Sequence, residues 1–181
     1  MSPSQTLNCR CGISSFKEHA KPILDVTNER SKNCLRESGI LQFFEIPDLK
    51  QNISLLTILV KAYSRKHKDF LIGNVYVKFT ANQIALMLGL PNRGVEFKFE
   101  RRPFAAYEQK DLLLDMERLS KADWSEDIEK SRVDILVKYL LSKLLFPLQV
   151  LKIPQCIHIF CGVEEFQRYN WPSTVHKFMH S

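Results

Sequence analysis

The stretch from Phe70 to Pro91 constrains this chain more than any other. Phe70-Leu71-Ile72 and Val75-Tyr76-Val77-Lys78-Phe79 are β-rich runs on either side of Gly73-Asn74, two residues that tolerate the positive φ of a tight hairpin turn. Thr80-Ala81-Asn82-Gln83 follows at once and reads as a capping box, and Ile84, Ala85, Met87 and Leu88 supply the apolar face of the helix it opens. Gly89 suits the left-handed closing position, Leu90 supplies its hydrophobic contact, and Pro91 forbids continuation. Beyond the stop, Val95, Phe97 and Phe99 alternate with Glu96, Lys98 and Glu100, which predicts a third strand.

Helical signals surround this unit. Ser15-Phe16-Lys17-Glu18 predicts a helix start, with Pro22 as its end. A second helix is expected from about Thr27 to Ser38, closed by Gly39, and Ile40 to Ile46 reads as an aromatic core cluster. Asn52 caps a helix whose Leu55, Leu56, Leu59, Val60 and Tyr63 recur at helical spacing, so that one buried face is expected. Its end runs into Ser64-Arg65-Lys66-His67-Lys68-Asp69, where cations suit the negative end of the helix dipole.

From Arg101 to about Ala122 the chain is charge-rich around Leu112-Leu113-Leu114 and reads as a partly exposed helix or variable insertion. Asp123-Trp124-Ser125-Glu126 starts a helix carrying Val133, Leu136, Val137, Leu140, Leu141, Leu144 and Leu145, ended by Pro147; so wide a stripe belongs to a central helix. One further helix is expected from Pro154 to about Tyr169. Pro172 then sits in the first turn of a last one with Val175, Phe178 and Met179. The fold class is mainly α: one compact helical domain over 13–181, with a flexible tail over 1–12 and a small antiparallel hairpin of two or three strands.

Composition sets the broad class. With 181 residues, 45% hydrophobic and 25% charged, the chain can bury one core and is not disordered. Its 26 basic and 20 acidic residues leave a net charge of +6, which permits nucleic acid or an acidic protein as partner and singles out neither. Met1 to Gly12 carries no apolar signal core, and the apolar run Ile53–Val60 is far shorter than the ~20 residues of a membrane span. An intracellular protein with no membrane association and reduced thiols is expected, since Cys9, Cys11, Cys34, Cys156 and Cys161 are odd in number and scattered.

Sites of chemistry are sparse. Phosphate-cradling glycine loops, a zinc-protease helix and a serine-hydrolase elbow are all absent from the sequence. Cys34 lies among Arg30, Lys32 and Arg36, but those neighbours more simply form a solvated face. The sharpest metal candidate is Cys156, Cys161, His176 and His180, two thiolates and two imidazoles of the kind Zn²⁺ prefers. Its central gap exceeds that of the usual finger, and its cysteines sit in apolar surroundings, so core packing is the expectation there. Cys9-x-Cys11 is weaker still. Lys61, Arg65, Lys66 and Lys68, with Tyr63 and His67, form the best footprint for phosphates, which Arg101-Arg102 would extend; a solvated helix end is the plainer reading.

The order of these residues is familiar. Phe70-Leu71-Ile72, Val77-Lys78-Phe79-Thr80 and Ile84 through Gly94, with Leu88-Gly89-Leu90-Pro91 at its centre, resembles the signature of plant mobile-domain ("aminotransferase-like") chains. It is also similar to the related transposon-borne domain found upstream of SUMO-protease-like cysteine proteases. Phe16-Lys17-Glu18-His19, Leu35 through Ile40 and Tyr169-Asn170-Trp171 look like that second group. Gln83-Ile84 departs from the family's frequent Asp-Val, and the 181 residues include no protease module.

The resemblance implies a plant, transposon-derived origin and a nuclear role in transposon biology or gene silencing through protein partners. Gly89, Leu90, Pro91, Gly94, Tyr169, Asn170 and Trp171 are its signature residues here, and helix-stopping and packing explain them as architecture. No pyridoxal chemistry is expected despite the family label, because the Schiff-base lysine, pyridinium partner and phosphate cup of such an enzyme are not visible. The expectation is a non-enzymatic module without cofactor that binds another protein, with a nucleic-acid-binding remnant using Lys61, Arg65, Lys66 and Lys68 as the alternative.

Overall fold

A computed structural model describes residues 12–47, 52–99, 103–147 and 152–180. Cys9, Cys11 and the rest of the expected tail up to residue 11 lie outside the described residues, as do Glu100, Arg101 and Arg102. The architecture is mainly α with a small three-stranded antiparallel sheet, as the sequence predicts.

The first helix, α1 (Ile13–Val26), continues through Pro22 instead of stopping there. An interior proline costs ~3 kcal/mol. Phe16, Ala20 and Ile23 recur on one face of α1 and are all buried, and at ~1.5–3 kcal/mol for a large apolar side chain this burial outweighs the lost bond. The Phe16 ring lies between Phe44 and Tyr139, with centroids 5.0 Å away on each side.

Helix α2 (Glu29–Glu37) starts from Asn28, whose side chain accepts the Ser31 N–H at 2.8 Å, and Gly39 follows its end at φ 76°. Helix α3 (Leu41–Phe44) buries Leu41, Phe43 and Phe44.

Asn52 caps α4 (Ile53–Ala62) by accepting the Leu55 N–H at 2.9 Å, as expected. The expected buried face is absent: α4 has no buried residue. The chain leaves the helix one residue before Tyr63 and forms β1 (Tyr63–Ser64), which pairs with β2 (Asp69–Ile72); β2 in turn pairs with β3 (Val75–Val77) around Gly73-Asn74. The third strand therefore precedes the hairpin. Val95 joins no strand of this sheet and makes a single parallel bridge with Tyr169.

The Thr80–Gln83 capping box opens α5 (Ala81–Leu88) with both reciprocal bonds formed, and Gly89 closes it at φ 64°. Of the predicted apolar face only Ile84 is buried, while Met87 is exposed.

Of the two readings offered for the charge-rich segment, the described residues show the partly exposed helix. Residues 103–122 hold β4 (Pro103–Glu108) and α6 (Gln109–Lys121), and α6 buries Leu112, Met116 and Leu119 against α1 and against α7 (Glu126–Leu140) while Lys110, Leu114 and Glu117 face solvent. Ser125 caps α7 by accepting the Ile128 N–H at 3.2 Å. The helix widens into a π-helical turn over Leu141–Leu145, and of the predicted stripe Leu136, Val137, Leu140, Leu141 and Leu145 are buried while Val133 and Leu144 are half-buried.

Strand β5 (Lys152–Pro154) pairs antiparallel with β4. The single helix expected next is two, α8 (Gln155–His158) and α9 (Gly162–Arg168), divided where Gly162 takes φ 72°. Helix α10 (Trp171–Met179) has Pro172 in its first turn, as predicted, and packs along α5.

A buried ion pair ties these helices together. The Arg132 guanidinium donates to the carbonyls of Val26 (3.1 Å), Leu119 (3.1 Å) and Ala122 (2.9 Å) and to the Glu129 carboxylate (3.2 Å). Glu129 also accepts the Asn28 N–H at 2.8 Å, so one pair holds the ends of α1 and α6 and the start of α2 against α7. Among the described residues no helix is long and apolar enough to cross a membrane.

Candidate functional site

Three places combine shape with chemistry. The first is the Gly89–Gly94 turn, where the two signature segments meet although about 75 residues separate them. Val95 donates its N–H to the Arg168 carbonyl at 2.9 Å, and Asn170 donates its N–H to the Val95 carbonyl at 2.8 Å. Gly94 has φ 113°, and a Cβ there would stand 2.7 Å from the Arg168 oxygen, so only glycine fits.

Asn170 caps α10 through the Ser173 N–H at 3.0 Å, and the buried Trp171 indole donates to the Phe166 carbonyl at 2.7 Å. Leu90 is buried. The cleft beside this turn holds about 460 Å³ and is lined by Gly89, Pro91, Gly94, Tyr169 and Trp171, with Glu37 and Arg93 as its charged groups. Every signature side chain with a described contact is used in capping, closing or packing.

The second place is α4 with the β1–β2–β3 sheet. Ile53, Leu55, Ile58 and Val60 of α4 are exposed, as are Leu71, Ile72, Val75, Tyr76 and Val77 of the hairpin; Ile58 and Val75 each keep more than 60% of their surface in solvent. An open groove of about 380 Å³ runs between α4, β2 and the end of α10, walled by Leu56, Leu59, Phe70, Phe79 and Met179. Tyr63 lies in the same groove, its ring 5.3 Å from Phe70 and its hydroxyl 3.0 Å from His180 Nδ1.

The cations predicted for phosphate lie on this body. Lys61 ends α4, and Arg65, Lys66 and Lys68 form the turn between β1 and β2, with Lys68 at φ 56°. All four are exposed. Tyr63 is half-buried and spent on Phe70 and His180, so it offers no free stacking face.

The third place is a cleft of about 600 Å³ over α6, α7 and α8, lined by Tyr107, Asp115, Arg118, Asp134, Lys138 and His158 among others. Tyr107 donates to Asp115 at 2.7 Å, and burial together with that carboxylate drives the phenol far above its ordinary value. Burial raises the Asp134 carboxyl, against the pull of Lys138 and Lys130. Burial and the nearby Lys138 lower His158. The hydroxyl of Ser131 in this cleft donates to the Asp127 carbonyl at 2.8 Å, so it is not activated by a base. The sequence does not show this cleft because its walls come from β4, α6, α7 and α8; Asp115 and Arg118, one helical turn apart, are the available signal.

The metal candidates separate into two groups. His176 and His180 share a face of α10 with ring centroids 4.5 Å apart, but His176 Nε2 lies 2.8 Å from the Phe79 carbonyl and His180 meets Tyr63. Cys156 is on α8 against the core, and Cys161 donates its thiol to the Ile159 carbonyl at 3.4 Å just before α9. Among the described residues no group of three or more His, Cys, Asp or Glu is gathered as a metal site. Cys34 is exposed on α2, where the Arg36 guanidinium turns to Asn33.

Residues 9–181 match the model of a family described as a domain of unknown function, DUF8566. No curated protein and no solved structure matches the chain.

Proposed function

We propose that this chain, which belongs to the DUF8566 family, is a non-enzymatic protein-interaction module that docks a partner on α4 and the exposed β2–β3 hairpin. One observation carries the reading: a helix with the sequence Ile-Ser-Leu-Leu-Thr-Ile-Leu-Val, apolar around all but the narrow stripe of Ser54, Thr57 and Lys61, has no buried residue. Such a composition belongs to a helix surrounded by protein. Left in water, the apolar surface of α4 and the hairpin costs ~25 cal/mol for each Å² that a partner would cover, and contiguous apolar surface of this kind marks interaction sites. The resemblance to plant mobile-domain and transposon-borne chains supplies the setting, a nuclear role in transposon biology or gene silencing exerted through that partner.

The test is affinity purification from plant nuclear extract with the wild-type chain and an Ile58→Ser/Val60→Ser variant, scored for both protein and nucleic acid. The reading expects a protein retained by the wild type, lost with the variant and resistant to salt and nuclease. Equal retention by both chains overturns it.

A second reading rests on Lys61, Arg65, Lys66 and Lys68, four exposed cations close together, as a nucleic-acid contact. Phosphate-driven retention weakens steeply with salt, roughly in proportion to the contacts made. Retention of nucleic acid that is unchanged by Lys66→Glu/Lys68→Glu rules this second reading out.

A further inference from the structure

The groove beside α4 differs from the rest of the surface in its charge. Residues 52–95 contain six basic side chains and one carboxylate, Asp69, so this segment alone carries 6 − 1 = +5 against +6 for the entire chain. Elsewhere several cations are paired locally: Lys21 with Asp25, Lys32 with Glu29, Lys121 with Glu117 and Lys177 with Glu96. Among the described residues Lys61, Arg65, Lys66 and Lys68 have no ion-pair partner. An open apolar groove of about 380 Å³ with Arg65 in its wall thus lies beside an unneutralised positive turn.

We propose that the occupant of this groove is an acidic segment of a partner protein, seating large apolar side chains between α4, Phe70 and Met179 while its Asp and Glu residues face Lys61, Arg65, Lys66 and Lys68. The proposal rests on the protein-interaction reading above and names its partner class. Opposite potentials across an interface steer encounter and set specificity, while apolar anchors in a pocket supply most of the affinity. A second copy of this chain does not fit, because the same face would set Lys61, Arg65, Lys66 and Lys68 against the same four cations. Nucleic acid satisfies the cations but leaves Ile58, Val60, Ile72 and Val75 uncovered. An anionic bilayer could take the exposed Ile58, Ile72 and Val75 but would leave the concave groove itself unfilled.

The experiment pans a displayed library of random peptides on the full chain and measures the enriched peptides by fluorescence anisotropy. Duplex DNA and phosphatidylcholine–phosphatidylserine vesicles serve as comparison probes. The expected peptides combine aromatic or branched apolar residues with several Asp or Glu. Lys66→Glu/Lys68→Glu should weaken them roughly tenfold or more, and exchanging the peptide's Glu for Lys should restore binding to that variant. Circular dichroism of the variant reports that it is folded.

Peptides enriched without acidic residues, or affinity held within about twofold by the charge-reversed chain, overturn the acidic partner and leave the interaction reading standing. If no peptide is enriched over an Ile58→Ser/Val60→Ser control, or if DNA or vesicles bind in preference to every peptide, both fall.

Discussion

The Arg132 guanidinium stands 3.2 Å from the Glu129 carboxylate, with both side chains almost sealed from solvent, one helical turn apart on α7. Replacing Arg132 with Met strands a buried carboxylate and unpairs the carbonyls of Val26, Leu119 and Ala122. A loss of about 3–5 kcal/mol is expected. Glu129→Gln keeps one acceptor oxygen for the Asn28 N–H but turns an amide NH2 toward the Arg132 guanidinium, which keeps its three carbonyls, so about 1–3 kcal/mol is expected there. Urea unfolding followed by circular dichroism measures both, and equal losses would show that the three carbonyl contacts of Arg132 add nothing beyond its pairing with Glu129.

The signature glycines rank by what surrounds them. Gly94→Ala combines φ 113° with a Cβ 2.7 Å from backbone oxygen, and neither chain segment can withdraw without breaking the Val95 bridge to 168–170. Gly89→Ala meets the flexible Gln42 side chain at φ 64°, where the left-handed penalty of about 1–2 kcal/mol is the main cost. The expected order of thermal stability is wild type, then Gly89→Ala, then Gly94→Ala. A reversed order in differential scanning fluorimetry would mean that the turn relaxes more easily than the 89–91 stop.

Acid should weaken the fold through two histidines. Burial lowers His158, assisted by Lys138; burial lowers His180, assisted by His176 and Lys68 and opposed by Asp69. The unfolded chain then takes up protons at a higher pH than the folded one. The stability these groups contribute is complete above the ordinary histidine value of 6.5 and is lost as pH falls from there through the lowered folded values. Asp134 acts in the opposite sense and in a lower window: with its carboxyl raised, it favours the fold below the ordinary Asp value of 3.8 and loses that contribution as pH rises through the folded value. The melting temperature should fall on going from about pH 7.5 to about pH 5.5, and His158→Asn/His180→Asn should flatten that slope. A wild-type curve that is flat across this window contradicts the assignment.

Local chemistry was legible in the sequence and tertiary placement was not. The hairpin turn at Gly73-Asn74, the Thr80–Gln83 box, the Gly89 stop, the Asn52 and Ser125 starts and Pro172 all stand where residue type predicts, because each rests on contacts a few residues apart. The errors came from long-range partners. Periodicity cannot say whether an apolar face meets a core, so it predicts a buried face for α4 that the fold leaves exposed; nor can it say that 103–108 pairs with 152–154 beside the partly exposed helix α6. The Arg132–Glu129 clamp was invisible for the same reason, since its partner carbonyls at Val26 and Leu119 come from other helices. Of the candidate surfaces, the cations at Lys61, Arg65, Lys66 and Lys68 were seen in sequence, while the groove beside them needed Met179 and Phe70 brought together.

The apolar residues of α4 should be dispensable to the fold, which sets them apart from every core leucine. Leu136 is fully buried on α7, and Leu136→Ala should cost about 2–5 kcal/mol through lost transfer energy and the cavity left behind. Ile58 spends most of its surface in water, so Ile58→Gln removes almost no packing, and the change should stay within about 0.5 kcal/mol. Gln is also the better helix former of the two, which works against any loss at that position. Paired denaturation curves for Ile58→Gln and Leu136→Ala measure the contrast. A loss above about 1 kcal/mol at Ile58 would mean that the residue belongs to the packed core in solution. The face of α4 would then be part of the fold and have no surface left to offer a partner.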